Sequence, residues 1–202
     1  MKNTRKKFLT MISLIVCALL LVAGSIAGTY AYLTSTATTQ NTFTVGNVLI
    51  TMDEANVDEL GTLLNANRVI PAANFSYKLI PGRKYVKNPI IHVDASSETC
   101  WLFVEITDEI AAVQDTETIA EQLAANDWVL LGDGVYYHNG KVPANADITV
   151  FEYFKIKGSA THTELSAYAG KNIIVNAYAV QAEGFNTAAD AWAATFGAPA
   201  NP

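Results

Sequence analysis

Two apolar runs decide the fold of this chain: Trp101-Leu-Phe-Val-Glu-Ile-Thr107 and Asn172-Ile-Ile-Val-Asn-Ala-Tyr-Ala-Val-Gln-Ala182. The first is apolar at nearly every position, which predicts a strand that is mostly buried on both faces. The second is long enough for an extended strand that places Ile174 and Tyr178 on one side, because strand side chains alternate. Both runs indicate a β domain.

Further β signals lie on both sides of these runs. Strands are predicted over Phe43–Met52, Tyr85–Asp94, Trp128–Leu131, Val135–His138 and Thr149–Lys157. Gly132-Asp-Gly134 predicts a hairpin turn, since glycine readily adopts positive φ. Pro89 lacks an amide donor, which predicts an edge strand or a bulge at that point. Thr149–Lys157 has apolar residues on both alternating faces, which predicts a strand covered on both sides.

Two helical segments interrupt the strands. Asp108 to Asn126 has apolar residues near helical spacing, with a predicted break close to Asp115 and with Thr116 as the cap of a second piece. Thr187 to Phe196 has Thr187 as its N-cap, and its aromatic residues are expected to dock on the sheet. Many short strands with few helices predict a mainly β fold, an antiparallel jelly roll or β-sandwich. We expect one domain over residues 45–197 and a frayed tail over 198–202.

The N-terminus has the three parts of a secretory signal. A basic head precedes an apolar run from Phe8 to Ala23, and small residues follow it. Residues 1–31 are therefore predicted to be the signal, cut between Ala31 and Tyr32, with a cut after Ala27 as the second choice. An uncleaved anchor over Phe8–Ile26 is the alternative, and the only membrane contact expected is through such an uncleaved signal. The protein is predicted to be exported.

Composition limits the partners and the covalent chemistry. The chain has 13 Lys and Arg and 19 Asp and Glu, and the predicted signal contains four of the basic residues, which leaves a mature net charge of −10. This acidic balance argues against nucleic acid as a partner. Only Cys100 follows the cut, so no intrachain disulfide is expected. Its place beside an apolar run predicts burial, with cross-linking between chains as the alternative.

Four stretches carry a resemblance to a known family. They are Ala27-Gly-Thr-Tyr-Ala-Tyr-Leu-Thr-Ser-Thr36, Asn41-Thr-Phe-Thr-Val-Gly-Asn47, Ile80-Pro-Gly-Arg-Lys-Tyr-Val-Lys-Asn-Pro-Ile-Ile91 and Asn176-Ala-Tyr-Ala-Val-Gln-Ala-Glu-Gly-Phe185. The chain thereby resembles the TasA/camelysin family of secreted Gram-positive proteins. The resemblance implies a jelly-roll domain, processing by a SipW-type signal peptidase, and fibres of a biofilm matrix that assemble by strand donation. It also implies a protease role as an alternative, because camelysin-like members have been described as metalloproteases.

The segment from Tyr32 to Thr44 suits a donated strand. It is rich in Thr and has no Pro, Gly or charged residue, so it is compatible with a strand whose edge templates pairing. The candidate donor residues are Tyr32, Leu33, Thr34, Thr36, Thr38, Thr42, Phe43 and Thr44. A head-to-tail contact of this kind does not close on itself and gives filaments. The alternative is a flexible leader followed by a strand of the same subunit from Thr42.

Metalloprotease chemistry has weaker support in the residues. No His-Glu-x-x-His pair occurs, and His92, His138 and His162 are scattered over two predicted strands and a loop. A zinc site would require these three to meet around the ion, or His92 to combine with Asp94 on one strand face. We predict no catalytic residue, metal or cofactor. Asp133 between glycines is explained by a turn better than by a calcium loop.

A surface adhesin or carbohydrate-binding module is the remaining alternative. Trp128, Tyr136 and Tyr137 cluster around the predicted hairpin and would stack on sugars if they were exposed together. Cross-strand pairing and burial in the core are the simpler explanation of these aromatic residues. The sequence therefore favours a secreted structural subunit that self-associates or co-assembles with related subunits. It leaves open whether the protein polymerises alone, or caps or nucleates another fibre.

Overall fold

The computed structural model describes residues 6–7, 11–21, 47–69 and 76–197. The chain divides into two compact units, Met1–Thr44 and Val45–Pro202. In the first unit, residues 11–21 are helical. Within the described ranges, no helix combines the length and apolarity needed to cross a membrane. The predicted cut at Ala31 and Tyr32, the candidate donor strand from Tyr32 to Thr44 and the predicted tail over 198–202 lie outside the described residues.

The second unit is built from short antiparallel strands. Its described elements are β1 (Ile50–Val57), β2 (Leu63–Val69), β3 (Lys84–Val86), β4 (Ile90–Val93), β5 (Cys100–Asp108), a 3₁₀ turn (Ala111–Val113), α1 (Ile119–Ala125), β6 (Trp128–Gly132), β7 (Val135–His138), β8 (Asp147–Thr149), β9 (Tyr153–Lys155), α2 (His162–Ser166), β10 (Ile173–Gln181) and α3 (Ala188–Phe196). The sheets run β2-β1-β4-β8, β10-β5-β7-β6 and β3-β9, and every pairing is antiparallel. The predicted mainly β, antiparallel class is confirmed.

Strand β5 lies at the centre of the second sheet. It pairs with β10 over nine positions on one side and with β7 on the other. The side chains from Cys100 to Val104 are all buried. Leu102 and Val104 belong to the main core, whereas Trp101 and Phe103 belong to a smaller cluster that also contains Trp192 of α3. The prediction of a strand buried on both faces is confirmed for this half of the run.

The main core draws on both four-stranded sheets. Ile91 and Val93 of β4 contribute from the first sheet, and Leu102 and Val104 of β5 contribute from the second. Cys100 is fully buried in the same core, as its apolar neighbours predict. Burial raises the pKa of this thiol to about 11, because a low-dielectric environment disfavours the thiolate.

Pro89 interrupts a long antiparallel ribbon without shifting its register. Strands β3 and β4 pair with β9 and β8 respectively, and the register is the same on both sides of the interruption. At the break, the Val150 amide donates to the Pro89 carbonyl at 3.0 Å, and proline has no N–H to return. The predicted edge strand or bulge at Pro89 is therefore wrong, because β4 lies between β1 and β8. Tyr85–Asp94 and Thr149–Lys157 each form two strands instead of one.

Two other predicted segments have different boundaries in the structure, and one strand has no predicted counterpart. The strand predicted over Phe43–Met52 begins at Ile50 in the described residues and continues to Val57. The exposed strand β2 that follows it has no counterpart among the predicted strands. The helix predicted over Asp108–Asn126 is reduced to the 3₁₀ turn and α1, because β5 continues through Asp108.

The cap of α1 is also different from the prediction. Thr118, not Thr116, caps the helix in a capping box: its Oγ1 accepts from the Glu121 amide while the Glu121 carboxylate accepts from the Thr118 amide. The short helix α2 is likewise absent from the predicted elements. Helix α3 has Thr187 as its N-cap, as predicted. Its Trp192 and Phe196 rings both contact Tyr178 of β10, which confirms the predicted docking on the sheet.

The predicted hairpin is confirmed between β6 and β7. Asp133 and Gly134 have φ of 46° and 75° at the turn, the combination of positive values that a tight hairpin loop requires. A Cβ added at Gly134 would lie 2.7 Å from the Ile106 carbonyl oxygen. That oxygen belongs to β5, so the turn is packed directly against the central strand.

Gly134→Ala is expected to destabilise the domain more than Gly170→Ala. Gly170 has φ of 79°, but a Cβ added there would meet no neighbour within 4 Å, so its replacement adds only backbone strain of about 1 kcal/mol. At Gly134 the clash with Ile106 adds about 1–2 kcal/mol to the same strain. Denaturant unfolding followed by circular dichroism measures both; equal losses would mean that the contact with Ile106 has no energetic role.

Candidate functional site

The edges of the two large sheets differ in how they are protected. Edge strands usually carry a bulge, a charge, a very short length or a covering element, because a bare edge templates pairing with another chain. Strand β2 has a register irregularity and contains Arg68. Strand β8 has only three residues. Strand β6 has a register irregularity and packs against α1.

Strand β10 has no bulge, no charge and no short length; α3 packs on it and β1 approaches it, but neither pairs with its open side. Strand β10 is nine residues long, Ile-Ile-Val-Asn-Ala-Tyr-Ala-Val-Gln, without a charged residue, proline or glycine. Its pairing with β5 is regular over the whole length. In the part of the chain that the structure describes, no strand pairs with its other side. Strand β10 is therefore the long, neutral and regular edge among the four.

The open side of β10 presents a defined set of backbone groups. The Glu109 amide donates to the Asn172 carbonyl at 3.0 Å, and the Ala182 amide donates to the Thr99 carbonyl at 2.9 Å. Hydrogen-bonded and non-hydrogen-bonded pairs alternate along an antiparallel ladder. Even-numbered residues therefore bond to β5, while Val175, Ala177 and the other odd-numbered residues turn their N–H and C=O groups to the open side.

A cavity of about 540 Å³, here called the β10 groove, lies beside the first half of this edge. It is lined by Ile173 to Asn176 of β10, by α2 and the turn that follows, and by Glu54, Tyr77 and Lys87. The groove therefore combines apolar strand residues with polar side chains. A chain segment placed against β10 would reach both.

Glu54 and Lys87 form a buried ion pair at this groove. The Lys87 Nζ lies 2.8 Å from Oε1 and 3.1 Å from Oε2 of Glu54, and both residues are at least 90% buried. The pair also affects Tyr77, whose pKa is raised by burial and by the nearby negative charge of Glu54. Buried charges of this kind need further hydrogen-bond partners to offset their desolvation.

A second polar array crosses the outer face of the first sheet. Arg68, Asp53, His92 and Asp147 come from β2, β1, β4 and β8 in spatial order, and we call them the outer ladder. Arg68 Nε lies 2.5 Å from Asp53 Oδ1, His92 Nε2 lies 3.2 Å from Asp53 Oδ2, and His92 Nδ1 lies 2.7 Å from Asp147 Oδ1. Alternating charges therefore join all four strands.

The imidazole of His92 is best matched to its two carboxylates when both nitrogens are protonated, although only the contact of Nδ1 with Asp147 has hydrogen-bond geometry. The hydrogen bond to Asp147 raises the pKa of His92, and Asp53 raises it further against the opposing effect of burial. Burial acts to raise the pKa of Asp53, but the Arg68 and His92 contacts lower it overall. Both pKa shifts favour the charged form of the side chain concerned.

The histidines do not form the metal site considered from the sequence. His92 has its two carboxylates on different ring nitrogens, and His138 stacks edge-on against Trp128, where burial lowers the pKa of His138. His162 is the exposed first residue of α2. Asp94 accepts from Ser96 instead of joining His92. Within the described ranges, no three His, Cys, Asp or Glu side chains form a group able to hold a metal ion.

The aromatic residues of the hairpin do not form one exposed platform. Trp128 is buried, and its Nε1 donates to the Thr149 carbonyl at 3.0 Å. Tyr136 packs against the main core and Tyr137 against the smaller cluster, so the two rings lie on opposite faces of the sheet. Trp128 is a core residue, as predicted, and the two tyrosines are half-buried against the two clusters.

Comparison with known proteins adds no further information about this site. No protein-family model, curated protein or solved structure matches the chain.

The outer ladder predicts a pH dependence of stability. The pKa of His92 is higher in the folded state than in the unfolded state, where it is about 6.5. The contribution of His92 to the free energy of unfolding is therefore complete below the unfolded-state pKa and is lost as the pH rises through the folded-state pKa. With the side chain about a third exposed, the loss is expected to be at most about 1 kcal/mol. Urea unfolding between about pH 6 and pH 8 measures it.

His92→Gln should remove this dependence, since an amide cannot gain the proton. His162→Gln changes an exposed histidine outside the ladder and is the matched control, which should keep the wild-type slope. Identical slopes for His92→Gln and the wild type would contradict the assignment of the effect to the ladder.

Proposed function

We propose that this protein is a secreted structural subunit of an extracellular fibre or biofilm matrix. The segment from Tyr32 to Thr44 of one copy adds as a strand to β10 of the next copy. The observation that carries the proposal is the bare edge of β10: nine neutral, regularly paired residues with their odd-numbered backbone groups directed outward. Natural monomers avoid such an edge unless pairing with another chain is its use.

The donor and the acceptor match in chemistry. Addition of an extended segment to a sheet edge uses main-chain hydrogen bonds for affinity and alternate side chains for register. The donor segment has no proline that would remove an amide and no charge that would repel or desolvate at the edge. Each copy would supply one donor and one acceptor, so the assembly would grow as an open filament.

The finer fold that we propose is a jelly-roll sandwich. Its support is the main core, which contains residues of both four-stranded sheets. Such a domain leaves sheet edges at its sides, and one of them is β10. The resemblance to the TasA/camelysin family points to the same fold and the same assembly.

Export and processing complete the proposal. The basic head, the apolar run and the small residues before Tyr32 support a signal cut after Ala31, with Ala27 as the second choice, by a SipW-type signal peptidase. Until that cut, the donor segment would be tethered at the membrane, and release would start assembly. The metalloprotease and adhesin alternatives have no comparable supporting feature among the described residues.

Deletion of Tyr32 to Gln40 should leave a folded monomer that does not polymerise, because the acceptor edge remains while most of the donor is lost. Electron microscopy and sedimentation of the mature protein and of the deletion variant measure the difference, and circular dichroism shows that the variant is folded. Normal filaments from the deletion variant would reject the donor role.

Ala177→Pro should block assembly from the acceptor side. Ala177 directs its N–H to the open side, so proline there removes an outward donor and places its ring in the path of an incoming strand, while the bonds to β5 stay. Ala177→Gly also weakens the strand but keeps the N–H, and it is the control for strand stability. Filaments formed by the folded Ala177→Pro variant at wild-type yield would exclude β10 as the acceptor.

A further inference from the structure

The buried pair Glu54–Lys87 has hydrogen-bonding capacity that the pair itself does not use. An ammonium has three donors, and Lys87 spends two of them on the oxygens of Glu54. The carboxylate likewise keeps lone pairs beyond those two bonds. Both residues are buried and line the β10 groove, so an occupant of the groove is in a position to use this capacity.

The candidate donor segment has a regular polar face. In an extended strand, residues two apart lie on the same side. Thr34, Thr36, Thr38, Thr42 and Thr44 occupy even positions together with Tyr32 and Gln40, whereas the odd positions mix Leu33, Ala37 and Phe43 with Ser35, Thr39 and Asn41. The even face is therefore polar throughout and has more hydroxyl groups than the odd face, and each hydroxyl both donates and accepts a hydrogen bond.

We infer that the threonine face of a donor strand from a second copy enters the β10 groove, where its hydroxyls complete the hydrogen bonding of Glu54 and Lys87. This inference rests on the proposed strand donation and adds the rule by which the groove selects its occupant. An apolar face would leave the buried pair unsatisfied, and a charged face would add a further buried charge without a partner. The groove therefore selects an uncharged, hydroxyl-bearing strand.

The test compares two faces of the same donor in the full mature protein. Thr36→Val/Thr38→Val removes two hydroxyls from the threonine face while it keeps side-chain shape and strand propensity. Thr39→Val makes the same chemical change on the opposite face, directly beside Thr38. The measurement is the critical concentration for filament formation, by sedimentation and electron microscopy.

We expect Thr36→Val/Thr38→Val to raise the critical concentration by about tenfold, the effect of losing two hydrogen bonds of modest strength. Thr39→Val should change it by less than about twofold. Equal shifts in the two proteins, no shift in either, or easier assembly of the double variant would each overturn the inference while strand donation itself stands. A wild-type mature protein that forms no filaments would instead reject the proposed function.

A second comparison tests the acceptor side. Glu54→Leu/Lys87→Met replaces the ion pair with apolar side chains of similar size, a change that buried pairs often tolerate. In that background, Thr36→Val/Thr38→Val should shift the critical concentration by less than about twofold, because the hydroxyls have lost their partners. An undiminished tenfold shift would show that the hydroxyls act elsewhere. If the apolar variant does not fold, the comparison of the two donor faces decides alone.

Discussion

The double-sided burial of β5 is the constraint on which the domain depends. Leu102 and Val104 fill the main core, while Trp101 and Phe103 anchor the smaller cluster beneath α3. A strand buried on both faces must satisfy its backbone entirely through its neighbours, because water cannot reach it. Strands β10 and β7 do this on its two sides. That arrangement holds β10 in a regular register, and it leaves the outer side of β10 open in the described part of the chain.

Many strands and turns of this fold are predicted by the local sequence pattern, and the places where the structure differs from the prediction have physical causes. The apolar run of β5 and the Asp133-Gly134 turn predict their elements directly. Pro89 has no amide donor, which predicts an edge strand or a bulge. Only the pairing of its segment with Val150 shows that the proline breaks a ribbon within a sheet. Strand β2 is exposed almost throughout, so it has no apolar alternation to reveal it. The Thr118 cap does have a local signal, because Glu121 follows it at the spacing of a capping box.

The candidate site is less accessible to sequence reasoning. The pattern predicts β10 as a strand, yet nothing in its residues tells an edge strand from a central one; the order of the sheet decides that. Glu54 and Lys87 are 33 positions apart and have no shared motif, so only the packed structure brings them together. The same holds for the outer ladder, whose four members come from four different strands. The pattern of a single amino-acid sequence predicts local periodicity well, but it does not predict which distant polar residues will pair.

The burial of Cys100 has a consequence for the proposed export of the protein. Burial raises the pKa of this thiol to about 11, which strongly disfavours the thiolate, the reactive form, at neutral pH. Its complete burial also denies access to oxidants and to other thiols. The folded domain, if exported as proposed, would therefore keep Cys100 as a free thiol, and no disulfide between copies would form through it.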